Sequence, residues 1–423
     1  MRRGTNLPAI GGYNQAVVLD AVRRQGEGLS RSEIATVTGL SAQTVTNVAR
    51  RLLDLGLIRE GGTVIDGPGK PRTLLQLVAR GRFAVGVHID PAVVTAVLLD
   101  LEGAVVEQRR VPTPSASDPA VVVDLIARTV DTLIDRSGVD ADLVLGIGLA
   151  SPGPIDVVEG VVLDPPMLPS WRHVRLRQAL GEATGLPVLL EKDVTAAAVA
   201  ELWSSGQAAD RRDFAFVYYG TGFGTGLVIG GEPIRGASSN AGDAGHMTVS
   251  ATGRRCGCGR VGCVGSLITP HELVRRAVEG GVLTGADLSE EARREAVASG
   301  DRVDMALIGE AFGVLAERAR DGDGGARAIV DDAARHLARA VVVLVNLLDV
   351  DTIVFGGPFW DAVGAEVLSV LGPEVRESPA LVVKHPIDLA VSAIGADVAA
   401  VGAACLVLDH AYSPRPSALL ISA

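Results

Sequence analysis

The stretch Ala241–Cys263, AGDAGHMTVSATGRRCGCGRVGC, is the most specific part of this 423-residue chain. One imidazole, His246, precedes three closely spaced thiols, Cys256, Cys258 and Cys263. Together they make a Cys₃His set, the ordinary composition of a closed structural zinc site. Glycines between the cysteines allow the backbone to wrap tightly. The alternative is three unliganded thiols in a glycine-rich loop, and the ligand set favours structural zinc.

Runs of apolar residues that end in glycine-rich turns lie on both sides of this stretch. Three consecutive β runs come first (83–89, 93–99 and 104–109), then a helix (119–135) and a further strand (143–149). A second such region starts with Phe214–Tyr219 and enters the turn Gly220–Gly226. Two ribonuclease-H-like lobes of this kind describe an actin/hexokinase-type clamp, in which the turns hold nucleotide phosphates. A turn can also need glycine without any ligand.

The N-terminal 80 residues follow another pattern. Ser30 and Glu33 have the spacing of a capping box, and Ile34 and Val37 are expected to face inward on the helix that they open. This helix stops at Gly39, and Ser41 caps a second helix almost at once. A first helix over 14–25, these two helices and a β-hairpin predict a winged helix-turn-helix. The alternative is a polar helical face beside a solvated hairpin.

Polar side chains on the second of these helices suit the reading of base edges in a major groove. The residues that we expect to contact DNA from this helix are Gln43, Thr44, Asn47, Arg50 and Arg51. The wing is expected to have its strands over 56–60 and 73–77, with loops at 61–62 and 67–71. Lys70 and Arg72 at its tip would then reach phosphate or the minor groove.

The distribution of charge supports this division. The first 80 residues contain 11 Lys/Arg and six Asp/Glu, a charge of +5, so the net charge of −11 leaves −16 for the remainder. A small basic module on an acidic body is one pattern of a ligand-responsive DNA-binding protein, although chance could produce it. The sequence has no apolar run of membrane-spanning length and no secretory signal, and its four cysteines do not form a disulfide scaffold. We therefore expect a cytoplasmic protein.

The chain resembles the ROK family (repressors, open reading frames, kinases) over nearly its whole length, and in particular its regulators with a winged helix-turn-helix. The motifs that carry the resemblance are the winged N-terminus, 151–154 (SPGP), 191–193 (EKD), the turn 220–226, 243–246 (DAGH) and the cysteine cluster. The resemblance implies an α/β fold with a two-lobed sugar-kinase-type body. It also implies that the Cys₃His set binds zinc and that Asp193 occupies the position of the kinases' catalytic base.

The first phosphate loop departs from the family pattern Asp-x-Gly-Gly-Thr, which falls on His88–Ala92 (HIDPA). The aspartate becomes His88, a possible cation, while Pro91 removes an amide donor and Asp90 adds a negative charge. Phosphoryl transfer is therefore not expected. His88 could contribute to an anion site, although a lone histidine is more often structural.

The sugar pocket departs as well. Met167 replaces an asparagine, Asp243 a glutamate and Gly265 a further glutamate. The hydroxyl-binding groups that remain are Asp193, Asp243 and His246. A pocket that has lost hydrogen-bond partners loses affinity and discrimination for polyols.

These observations predict a non-enzymatic transcriptional regulator, most simply a repressor. Its domains would be 1–80 (winged helix-turn-helix), 81–200 (first lobe, with helix 397–411 packing back) and 201–396 (second lobe, with the zinc loop and a dimerisation surface). A homodimer or homotetramer would bind operator DNA, and a sugar or sugar phosphate would modulate that binding. The alternatives are an ATP-dependent sugar kinase with an accessory DNA-binding domain, and an inactive scaffold without an effector.

Overall fold

A computed structural model describes residues 7–64, 71–114, 118–165, 168, 171–204, 212–298 and 303–412. Its N-terminal part has three helices and a three-stranded sheet of order β1-β3-β2. The elements are α1 (Leu7–Arg24), β1 (Leu29–Ser30), α2 (Arg31–Thr38), α3 (Ala42–Asp54), β2 (Ile58–Val64) and β3 (Arg72–Leu77). The first helix thus begins seven residues earlier than the predicted Asn14.

The predicted helix caps are present in the helix-turn-helix. The Ser30 hydroxyl accepts the Glu33 amide, and the Glu33 carboxylate accepts the Ser30 amide at 2.8 Å, which completes the capping box. Gly39 ends α2 in the left-handed conformation, at φ 70°. One inward assignment is wrong, because Val37 is 61% exposed. Only Ile34 is buried on the two-turn helix α2.

The wing differs from the prediction at its first strand. β2 continues through Gly61 and Gly62, which were expected in a loop, and pairs antiparallel with β3. A register shift between Glu60 and Thr63 accommodates the two glycines as a β-bulge. Residues 65–70, including Lys70, lie outside the described residues.

The next part of the chain forms a five-stranded sheet of order β10-β7-β4-β5-β6. The antiparallel β4–β5–β6 meander continues into parallel β7 and β10, as expected for a ribonuclease-H-like lobe. A small hairpin, β8–β9, follows β7. The elements are β4 (Phe83–Ile89), β5 (Val93–Asp100), β6 (Val105–Pro112), α4 (Pro119–Ser137), β7 (Val144–Ser151), β8 (Ile155–Asp156), β9 (Val161–Val162), α5 (Leu176–Thr184) and β10 (Val188–Lys192).

A second sheet repeats this topology in the order β13-β12-β11-β14-β15. Most of the helices after residue 264 pack into its core together with Tyr219, Phe312 and Trp360. The elements are α6 (Asp193–Ser204), β11 (Phe214–Tyr219), β12 (Phe223–Ile229), β13 (Glu232–Pro233), α7 (Gly265–Ile268), α8 (Pro270–Glu279), α9 (Glu290–Val297), α10 (Met305–Arg320), α11 (Gly324–Leu348), β14 (Thr352–Gly356), α12 (Trp360–Arg376), β15 (Asp388–Val391) and α13 (Val398–Tyr412).

The last helix, α13, packs back on the first sheet and on α6, as the sequence predicted. Two glycines permit the close approach. A Cβ on Gly86 would lie 2.0 Å from the Ala400 carbonyl oxygen, and one on Gly148 would lie 1.8 Å from the Ala403 carbonyl oxygen. The domain boundaries remain a prediction, and the one between residues 200 and 201 falls inside α6.

The winged module contacts the body through α1. The Arg23 guanidinium lies 4.1 Å from the ring centroid of Trp203, near the end of α6. Leu19 and Leu101 line the same junction. Helix α6 therefore extends from Asp193 to the winged module. In the described part of the chain, none of the helices has the length and apolarity to cross a membrane.

Candidate functional site

The second helix of the helix-turn-helix, α3, presents the predicted polar face. Gln43, Asn47, Arg50 and Arg51 are exposed, and the Gln43 amide donates to the Asn47 side-chain oxygen at 3.4 Å. Thr44 is half-buried, and its hydroxyl lies 2.9 Å from the Ser41 hydroxyl. The opposite face of α3, with Val45, Val48, Ala49 and Leu52, is buried. An amphipathic, capped helix thus holds amide and guanidinium groups toward solvent.

Arg72 does not extend freely from the wing. As the first residue of β3 it forms an ion pair with Glu33 at 3.4 Å. The Ser30 hydroxyl and amide lower the pKa of Glu33, and Arg72 adds to this effect. This contact joins the wing to the start of α2, and any phosphate contact by Arg72 would compete with it.

The predicted metal ligands lie together. The ligand atoms of His246, Cys256, Cys258 and Cys263 are all within 4.8 Å of one another. His246 Nδ1 lies 3.4 Å from Cys256 Sγ, and Cys258 Sγ lies 3.6 Å from Cys263 Sγ. Ligands of one tetrahedral zinc ion at about 2.3 Å are separated by roughly 3.5–4 Å. The donor set and its spacing therefore fit zinc.

Backbone pairing holds the cysteine loop in this form. Cys263 forms a β-bridge with Thr248, and Arg255 forms one with Val261. Cys263 is buried, whereas Cys258 and His246 are exposed. The ligand cluster therefore lies at the surface of the second lobe, with Cys263 buried next to Val264 of its core.

The turn after β4 and the glycine-rich turn after β11 are joined directly to each other. Thr221, in the turn between β11 and β12, donates its hydroxyl to the Asp90 carboxylate at 3.1 Å. Asp90 is only 5% exposed, and its burial raises the pKa of this carboxyl to about 6. The hydrogen bonds from Ala92 and Thr221 lower this pKa, but the effect of burial is larger. The bond connects the turn after β4 in the first lobe with the corresponding turn in the second.

The interpretation of His88 as a cation is wrong at neutral pH. His88 is buried, and desolvation lowers its pKa to about 4. Its ring packs edge-on against Tyr218, with 6.2 Å between the centroids. Neither His88 Nε2 nor the Tyr218 hydroxyl has a hydrogen-bond partner among the described residues. Burial also raises the pKa of Tyr218 well above its usual value, so both rings are neutral.

Asp193 lies within the electrostatic influence of Asp90 and Asp243. It is the first residue of α6, and burial raises its pKa to about 6. The negative charges of Asp90 and Asp243 raise the pKa of Asp193 further. Asp243 itself is exposed and lies just before His246, so the cysteine loop adjoins this group. Met167 lies outside the described residues.

Sequence reasoning missed Asn240. Its side chain accepts the Ile155 amide and donates to the Ile155 carbonyl, both at 2.8 Å, and so bridges the two lobes. The Lys192 ammonium donates to the carbonyls of Asn240 and Ala241 at 3.3 and 3.4 Å. The position of Asn240, immediately before the 241–246 segment, gave the only sequence signal.

The fold and the site define a class of protein in which a winged helix-turn-helix is attached to a two-lobed, sugar-kinase-like body. The model of the ROK family matches residues 84–410, and that of the MarR family matches residues 12–63. The chain therefore belongs to the ROK family.

The relatives of this chain include transcriptional regulators and a glucokinase. The chain is 25% identical to the DNA-binding transcriptional dual regulator NagC of Escherichia coli K12, over 84% of this chain and 83% of that protein. It is 28% identical to the xylose repressor of Bacillus subtilis, over 59% and 64%. An uncharacterized protein of Sinorhizobium fredii, y4fQ, is 35% identical, and the match spans about half of each chain (51% and 55%).

Solved structures show the same division. A ROK family transcriptional regulator, described as a homolog of E. coli MLC protein, superposes with a TM-score of 0.74 at 21% identity and covers 96% of this chain and 98% of its own. A ROK family glucokinase from Streptomyces griseus, in complex with glucose and AMPPNP, gives 0.62 at 26% identity and covers 77% and 98%. The regulator alone of these two thus extends over nearly the whole chain.

Proposed function

We propose that this protein is a transcriptional repressor whose binding to operator DNA is modulated by a sugar or sugar-derived ligand in the body. The observation that carries the proposal is the exposed polar face of α3 in a winged module joined to a ROK body. Gln43, Asn47 and Arg51 are spaced by one helical turn, which suits contacts to adjacent base pairs. Arg50 and Lys70 would contribute further DNA contacts. Thr44, on α3, and Arg72, at the start of β3, would also contact DNA because of their positions in the winged module.

One recognition helix reads too few base pairs for specificity in a genome, so the active form would be a homodimer or homotetramer on a pseudo-palindromic operator. The ligand would act by preferring one arrangement of the two lobes. Helix α6 offers the route, since it begins at Asp193 and carries Trp203 in its last turn, and Arg23 of α1 stacks on Trp203. A displacement of α6 would therefore reach the helix that packs on α3.

Zinc would be bound by His246, Cys256, Cys258 and Cys263. It would supply structural cross-linking of the loop that follows Asp243, so that its removal unfolds this region. His246 would then be a metal ligand first, while Asp193 and Asp243 would accept hydrogen bonds from the hydroxyl groups of the effector.

Three observations support the kinase alternative. They are Asp193, the 220–226 turn and the match to the glucokinase. The Asp90–Thr221 hydrogen bond argues against it, because it occupies the space between the two turns that would hold nucleotide phosphates. Binding of ATP-magnesium by the purified protein would favour the kinase, and its absence would favour the repressor.

The test of the proposed function is fluorescence anisotropy with the protein's own upstream DNA and an unrelated fragment as competitor. Specific binding that weakens as salt is raised is the expected result, because phosphate contacts release counterions. Equal binding to both fragments would contradict specific operator recognition. Asn47→Ala should reduce specific binding while nonspecific binding is retained, since Asn47 would contact a base rather than phosphate.

A further inference from the structure

We infer that the effector is an unphosphorylated, uncharged sugar, and that Asp90 is the residue that excludes phosphorylated sugars from the body. This inference rests on the proposed function, because it takes Asp193 and Asp243 as the residues that bind the effector. Of the two ligand classes in the notion of a sugar-derived effector, a free sugar and a sugar phosphate, it selects the free sugar.

Negative charge is concentrated where the ligand would lie. Asp90 follows β4, Asp193 begins α6 and Asp243 precedes the cysteine loop, and the charges of Asp90 and Asp243 both act on Asp193. A phosphate carries close to two negative charges at pH 7. It would therefore be repelled here, whereas sugar hydroxyls can donate hydrogen bonds to carboxylate oxygens.

The cations on the same segments are already engaged. Lys192 donates to two main-chain carbonyls, and Arg235 Nε lies 2.6 Å from the carboxylate of Glu191, which is buried. His88 is neutral. The two cations that the structure describes here, Lys192 and Arg235, are thus engaged by acceptors of the protein itself rather than available to a phosphate.

The amide donors of the first turn are also used internally. The Ala92 amide donates to the Asp90 carboxylate at 2.8 Å, and the Asp90 amide donates to the Val93 carbonyl at 3.1 Å. Pro91 has no amide hydrogen. The turn that binds phosphate through backbone N–H groups in nucleotide-binding folds is therefore closed around its own aspartate.

The second turn completes this arrangement. The Gly220 amide donates to the Gly222 carbonyl at 3.1 Å, and the Thr221 hydroxyl donates to Asp90. The Asp90 carboxylate thus takes donors from both turns, in the manner of a bound anion. A phosphate group would have to displace a carboxylate that is covalently part of the site.

The experiment measures binding of matched pairs to the full chain by isothermal titration calorimetry. The pairs are xylose and xylose 5-phosphate, glucose and glucose 6-phosphate, and N-acetylglucosamine and its 6-phosphate. We expect at least one free sugar to bind and its phosphorylated partner to bind at least tenfold more weakly. A phosphorylated sugar that binds as tightly as its free partner overturns the inference, and so does failure of all six compounds to bind.

Asp90→Asn tests the assigned residue. It should raise the affinity for the phosphorylated member of the pair at least fivefold relative to the free sugar. Asp142→Asn is the matched control, because Asp142 is exposed and precedes β7, at the opposite end of the sheet from the turn after β4. An unchanged ratio in Asp90→Asn overturns the role of Asp90. Operator binding is measured without sugar, so its failure would refute the proposed function separately.

Discussion

The contact between Arg23 and Trp203 can be tested by a double-mutant cycle. The guanidinium carbon lies 4.1 Å from the indole centroid, and the Arg23 side chain is only 13% exposed. Cation–π contacts contribute about 0.5–1 kcal/mol at exposed sites and about 2 kcal/mol when desolvated. Because this contact is largely shielded from solvent, we expect a coupling energy of about 1–2 kcal/mol between Arg23→Ala and Trp203→Ala.

Hydrogen exchange of the α1 amides is the assay, because it reports the free energy of local opening in a protein with several domains. A coupling of about 1–2 kcal/mol corresponds to roughly a 5- to 30-fold change in protection. Arg23→Ala also removes the ion pair with Asp20 at 2.9 Å, but this loss occurs in both backgrounds and cancels in the cycle.

Arg24→Ala provides the control for this cycle. Arg24 also binds Asp20, at 2.8 Å, but its side chain is 52% exposed, and among the described residues only Arg23 and Arg80 stack on an aromatic ring. Its cycle with Trp203→Ala should close to within about 0.3 kcal/mol. If the Arg23 cycle closes equally well while circular dichroism shows folded variants, the reasoning that α6 and α1 are joined through this contact is refuted.

Other parts of the molecule give three further predictions. Cys258→Ser should lower the zinc content per chain, measured by atomic absorption, and full zinc content would contradict the Cys₃His site. Leu52→Ala should destabilise the winged module by about 2–5 kcal/mol in thermal unfolding and abolish operator binding, since Leu52 is 1% exposed in its core; the exposed Leu55→Ala should change stability little. Burial raises the pKa of Asp90 from 3.8 to about 6, so this carboxyl takes up its proton more readily in the folded state than in the unfolded state. Stability from this group therefore increases as pH falls from 7 to 4, by up to about 3 kcal/mol. In urea titrations, the free energy of unfolding of Asp90→Asn should therefore decline relative to that of wild type as the pH falls. A difference that stays constant with pH would contradict the buried carboxylate. The stability contribution of His88 has the opposite pH dependence, but it is common to both proteins.

The features that the sequence predicted correctly depend on short-range physics. The Ser30–Glu33 capping box and the Gly39 stop are contained within ten residues, and the cysteine cluster within eight. Strand order in the first lobe followed from three consecutive β runs and a crossover. Each of these is determined by hydrogen-bond needs or ligand chemistry at fixed spacing.

The features that escaped prediction depend on tertiary contacts. Thr221 and Asp90 are 131 residues apart, and Asn240 and Ile155 are 85 apart, so that no local pattern connects them. The exposure of Val37 likewise depends on what packs above α2. The neutrality of His88 could not be read from the sequence either, because it follows from burial under neighbouring strands rather than from residue type.

In the proposed repressor, the retention of the kinase-like fold and the loss of the phosphate loop have separate physical causes. α13 packs on the first sheet through Gly86 and Gly148, where any side chain would collide with helix carbonyls, so the clamp depends on these residues. In the turn after β4 the buried Asp90 carboxylate needs a hydrogen-bond partner. Thr221 supplies that partner from the opposite lobe. This hydrogen bond and the Asn240–Ile155 contacts connect the two lobes through groups of the protein itself, as the proposed ligand-responsive body requires.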